Sequence, residues 1–146
     1  MTQKFINVYG CTDIDSYAVL GDTGTRLTVQ KVERIFTPIR TDRGFCTNND
    51  DQRKAPVRTA GRPFELMRRS DGTIGLWEDD AIFVWNASSF ADGALPGLLD
   101  KNPNWRVRNG QVYVYAGFRK DGKPKRRWRE FPRPTDKCEA FYDYNF

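Results

Sequence analysis

The sequence predicts a mainly β protein: a single antiparallel β-barrel or sandwich-like domain over residues 1–146, with at most one or two short helices. Three observations carry this. Short runs rich in Val, Ile, Phe, Tyr and Trp recur between Gly, Asp and Asn turn signals. Aromatics make up 14% of the chain within a hydrophobic total of only 38%, so Phe, Tyr and Trp must supply much of the core. A chain of 146 residues is also long enough for one core without staples.

The elements follow in order. KFINVY, residues 4–9, reads as a strand. The next stretch is loop-prone through Asp13, Asp15, Gly21 and Gly24, with a short strand at 17–20. Residues 25–36 are ambiguous. Leu27 and Val29 alternate as in a strand, whereas Val32, Ile35, Phe36 and Ile39 fall at helical spacing. Pro38 and the Thr and Val content favour strand. Residues 40–62 are the least regular part, a long loop or an extended arm. FELMRRSDGTIGLW, from residue 64, reads as strand, Asp71-Gly72 turn and strand, with a further reversal at Asp79-Asp80. Ala81 to Trp85 is continuously apolar and predicts a central strand covered on both faces. Gly93, Pro96 and Gly97 limit the following connection to one helical turn. Residues 104–131 predict a three-stranded basic meander, and residues 138–146 a last strand.

Charge is unevenly distributed. The net charge is +5, yet residues 101–134 hold eleven Lys and Arg against two acids, Asp121 and Glu130, so this segment is +9 and the rest −4. Such asymmetry predicts an anionic partner, or self-complementation within the fold or between subunits.

The turns decide which side chains share a face. Asn109-Gly110 is the strongest short hairpin signal. It pairs Val107 with Val112 and Trp105 with Val114, leaving Arg106, Arg108, Tyr113 and Tyr115 on the other face. A two-residue loop at Asp121-Gly122 then places Lys and Arg beside Val114, which is costly if they are buried. A three-residue loop, 121–123, pairs Ala116 with Trp128 and is preferred. The expected outer face holds Arg106, Arg108, Tyr113, Tyr115, Arg119, Lys125, Arg127, Arg129 and Phe131. Crowded like charges on adjacent strands repel, and an anion relieves them. Arg for phosphates and Tyr for bases describe a nucleic-acid surface, single strands before duplex. A solvated basic face that protects a sheet edge is the plainer reading.

Enzymatic chemistry finds little support. There is no histidine, hence no His-based triad, proton shuttle or His metal ligand. Cys11, Cys46 and Cys138 contain no CxxC pair and fit buried thiols better than zinc or a disulfide framework. The acidic groups Asp13 and Asp15, Asp50 and Asp51, and Glu78 to Asp80 sit at turns, where Asp serves the backbone. They leave a Mg²⁺-dependent phosphodiesterase as an alternative. Glu65 and Glu78 are the one acid–base pair to consider for glycoside hydrolysis, without a known separation. Gly21 to Gly24 lacks the pattern of a phosphate loop. No cofactor and no metal are expected.

The resulting expectation is a non-enzymatic binding protein for nucleic acid. The alternative is a protein–protein module, such as a small viral-type accessory, inhibitor or virion protein, that meets an acidic protein surface and uses the aromatic FYDYNF terminus as an anchor. The absence of a signal-like N-terminus and of long apolar runs predicts no membrane and a reducing, cytoplasmic location, the host's if the protein is viral.

Overall fold

Strand alternation is plainest in the first half of the chain. The computed structural model describes residues 2–145, with 44% strand and 11% helix. β1 (Phe5–Tyr9), β2 (Ile14–Asp22) and β3 (Arg26–Arg34) pair antiparallel in sequence order. Leu27 and Val29 point inward and are fully buried, so the strand reading of this ambiguous segment holds. β4 (Val57–Thr59) and β5 (Phe64–Arg68) both pair with β3, and β6 (Ile74–Asp79) pairs with β5. β10 (Arg126–Phe131) follows β6 in the order β1-β2-β3-β5-β6-β10. This mainly antiparallel sheet curls into a half-barrel.

Contacts divide the chain into two units. The first runs to Leu76 and resumes at Glu130; the second is Trp77–Arg129. The first unit's core is Ile6, Leu27, Val29, Leu66, Ile74 and Phe131, with Tyr17 edge-on to both Phe64 and Phe131. Residues 40–62 are more ordered than expected. A 3-10 turn (Asn49–Lys54) buries Gln52, whose side chain accepts from the Tyr142 N–H and donates to the Tyr142 carbonyl.

The terminal segment is not a strand. It makes single bridges, Thr135 to Phe5 and Phe141 to Ile14, and side-chain clamps do the rest. Arg34 donates to the carbonyls of Ala55, Cys138 and Ala140 at 2.7, 2.8 and 3.0 Å. Asn7, buried in β1, accepts from Ser16 and the Glu139 N–H and donates to the Lys137 carbonyl. Every polar atom of this buried network is satisfied, as burial requires.

The second unit has its own sheet, ordered β7-β9-β8: β7 (Ala81–Asn86), β8 (Trp105–Arg108) and β9 (Gln111–Tyr115). Asn109 and Gly110 both have positive φ, 52° and 74°, the backbone of the predicted two-residue turn. Val107–Val112 and Trp105–Val114 pair as expected. One face carries Phe83, Trp85 and Trp105, with Phe90 packed onto both tryptophans.

Three expectations fail here. β7 is an edge strand, not a central one, and Ile82 to Trp85 are all exposed, because an apolar run reports hydrophobicity and not which neighbours cover it. The connection contains a helix, α1 (Leu95–Lys101), of seven residues. Pro96 sits in its first turn, where a missing N–H costs nothing. The three-stranded meander does not form either: β9 pairs with β7 and β8, and β10 with β6. Ala116 donates to Asp80 instead of pairing with Trp128. Among the described residues, no helix is long and apolar enough to cross a membrane.

Candidate functional site

The second unit holds ten Lys and Arg against six Asp and Glu, and the first fourteen against thirteen, so the excess positive charge lies mostly in residues 77–129. The β8–β9 hairpin sets its geometry. Arg106 lies opposite Tyr113 and Arg108 opposite Gln111. Alternation then puts Arg106, Arg108, Gln111, Tyr113 and Tyr115 on one face, with Val84 of β7 opposite Tyr113. Sequence reasoning grouped four of these correctly, because a two-residue turn fixes the register of both strands.

The face is built as a ring ladder. Tyr113 and Tyr115 lie 6.0 Å apart with their planes 9° from parallel. Tyr115 meets Phe118 edge-on at 5.8 Å, and the Arg106 guanidinium lies 4.5 Å from the Phe118 centroid. Arg106 also donates to the carbonyls of Pro103 and Trp105, which fix its fork. Tyr115 is only 6% exposed, and burial first, then the Asp79 charge, raises its phenol pKa. It is therefore the buried support of the ladder. Tyr113 is half-buried, and its hydroxyl donates to Gln111.

Phe118 leads into the basic loop. It bridges to Pro124, and the Lys125 N–H reaches the Gly117 carbonyl. Neither loop expected from the sequence occurs: the Arg119 N–H donates to the Lys123 carbonyl and the Gly122 N–H to the Arg119 carbonyl. The Lys123 N–H caps the Asp121 carboxylate and holds its pKa below the ordinary value. Arg119 lies 3.7 Å from Asp121. Lys120, Lys123, Lys125 and Arg126 are exposed, and like Arg106 and Arg108 they form no ion pair among the described residues. Lys120, Lys123 and Arg126 were not among the expected site residues, although their place around an Asp-Gly turn marks them as solvent-facing.

The remaining expected residues lie elsewhere. Arg127 and Arg129 are on β10, beside Glu78 of β6, at 3.1 and 4.0 Å. Their neighbour Trp128 packs edge-on against Trp77, not with Val112 and Val114. Phe131 is 5% exposed and belongs to the first unit's core, not to a wet outer face. The cause is the non-local β6–β10 pairing.

The acidic groups are occupied structurally. Asp13 accepts from the Asp143 N–H, Asp15 faces Lys31 at 3.6 Å, and Asp50 and Asp51 lie in the first turn of the 3-10 segment. Among the described residues, no three His, Cys, Asp or Glu side chains converge as a metal site. The three thiols are free, with Cys46 buried and Cys11 exposed. The aromatic terminus expected to anchor a partner is docked on its own chain through Gln52, Asn49 and Asp13. Comparison with protein-family models, curated proteins and solved structures finds no match.

Proposed function

We propose that the chain binds single-stranded nucleic acid, without catalysing a reaction, through the Arg106–Arg108–Tyr113 face and the adjoining 120–126 loop. The observation that carries this reading is a set of six exposed cations that form no ion pair among the described residues, of which Arg106 is held on the Phe118 ring and, with Arg108, flanks the half-buried Tyr113. An unpaired guanidinium with its stem fixed takes a phosphate at little entropic cost, and an aromatic plane beside it takes a base. The Glu78 cluster adds a secondary basic point, since two guanidiniums share one carboxylate there. A half-buried ring flanked by cations suits single strands, whose unstacked bases are free to lie on it.

The test is fluorescence anisotropy with a labelled oligonucleotide, as single-stranded DNA, single-stranded RNA and duplex, across a salt series. About four neutralised phosphates give a log–log slope of roughly −3 for single strands. Arg106→Gln with Arg108→Gln reduces that slope by about 1.4 and weakens binding about tenfold or more at low salt. Arg26→Gln with Arg58→Gln, which breaks two ion pairs of the first unit, leaves binding unchanged. No binding at low salt, or equal losses from both double variants, rejects the reading.

A further inference from the structure

We infer that β7 is an interface between two copies of this chain, joined edge to edge and antiparallel about Val84. This goes beyond nucleic-acid binding and does not depend on it. β7 lies at one edge of the sheet, and its side chains Ile82, Phe83, Val84 and Trp85 are 56%, 55%, 47% and 38% exposed. Folded proteins blunt such edges with charge, proline or a covering segment. Residues 81–86 contain no charge and no proline. A bulge around Ile82 leaves Phe83–Asn86 in regular register with β9.

The backbone selects the centre of the pairing. The Ala87 N–H donates to the Gly110 carbonyl, and Trp85 lies opposite Val112. Alternation of antiparallel hydrogen bonding therefore turns Trp85 and Ala87 toward β9, and Val84 and Asn86 outward. A two-fold axis at Val84 lets the two Val84 residues exchange both backbone hydrogen bonds. In that register Phe83 of each copy lies opposite Trp85 of the other. Within one copy these rings already stack at 5.6 Å and 5°. The pairing extends them to a ladder of four rings, on the closely spaced type of cross-strand site.

Self-complementarity of the strand selects a second copy as the occupant. The acids nearest β7, Asp79 and Asp80, lie beyond its N-terminal end, outside the residues that pair about Val84. A polyanion gains nothing from Ile, Phe and Val. The same strand supplies matching length, matching apolar character and no opposed charges. The second unit is net positive, so two copies repel at long range and salt screens that repulsion. Association therefore tightens as salt rises, opposite in sign to nucleic-acid binding.

Sedimentation equilibrium of the full chain over a concentration series, at low and high salt, tests this. The expected result is a mass rising from 16.9 kDa toward twice that value, more readily at high salt. Val84→Lys sets like charges directly opposite and raises the dissociation constant about tenfold or more. Ile39→Lys, at an apolar position 61% exposed in the first unit, leaves it unchanged. Near-UV circular dichroism checks that each variant folds, and Ile82→Lys replaces Val84→Lys if that variant does not. A chain that stays monomeric at its highest soluble concentration overturns the inference, as does a dimer indifferent to the lysine in β7. Since the assay contains no oligonucleotide, its failure leaves the anisotropy result standing.

Discussion

The two units solve opposite problems. The first closes an aliphatic core beneath a wide sheet and nearly balances its charge, fourteen cations against thirteen acids, with ion pairs such as Arg26 with Glu65, Lys31 with Asp15, Arg58 with Glu33 and Arg68 with Asp22. The second has three strands, and among its hydrophobic side chains only Val112 and Tyr115 are buried. It leaves rings half-exposed on one face and cations without acids on the other. A surface whose charges nearly balance gains little from an ionic partner. A surface whose charges are unmatched and whose aromatics are uncovered is built at the expense of its own stability, which is the condition in which a ligand contributes most.

The sharpest way to break this contrast is to truncate one side chain in each unit. Leu66→Ala, at a fully buried site, should cost about 2–5 kcal/mol in urea unfolding followed by circular dichroism. Val107→Ala, at a site 45% exposed, should cost within about 0.5 kcal/mol. Equal losses would show that the second unit is packed as tightly as the first.

The next effect in size concerns the clamp on the terminal segment. Arg34→Ala deprives three carbonyls of a charged donor and should cost about 2–3 kcal/mol. Hydrogen exchange should show residues 138–144 losing protection ahead of the β1–β3 core. Uniform loss across the first unit would mean that the segment unfolds only with the whole.

The smallest effect is at low pH. Asp22 has its carboxyl pKa held below the ordinary 3.8 by the hydrogen bond from Arg68 first and the Gly24 N–H second. A lowered folded pKa gives stability that is present above the unfolded pKa and lost as pH falls through the folded one. Asp22 is 42% exposed, so water screens the pair and its contribution stays below about 1 kcal/mol. Asp22→Asn should lower stability by that amount at neutral pH and by less at about pH 2. An unchanged difference at both would assign the stabilisation to packing.

Legibility in the sequence followed locality. The fold class, the strand at 26–34, the Asp71-Gly72 reversal and the whole β8–β9 hairpin were readable because alternation and turn chemistry act within a few residues. Arg106, Arg108, Tyr113 and Tyr115 came together for that reason. Arg127, Arg129 and Phe131 were misplaced because β10 takes its partner from residues 74–79, some fifty positions away, and no local signal names that partner. The exposure of β7 was illegible for a related reason: burial depends on neighbours, while hydropathy belongs to the strand alone. The ordering of residues 40–62 rests on Cys46, Asn49 and Gln52, whose hydrogen-bond partners lie ninety or more residues further on.

The discontinuity of the first unit also fixes an order of assembly. Phe131, which completes its core, and the residues clamped by Arg34 leave the ribosome only after all of residues 77–129. The nascent half-barrel must wait, with Ile6, Leu27 and Leu66 short of one wall, while the β8–β9 hairpin, whose contacts are local, closes early. During that interval the chain exposes apolar surface to chaperones, and a pause in translation just upstream of residue 131 lengthens the exposure.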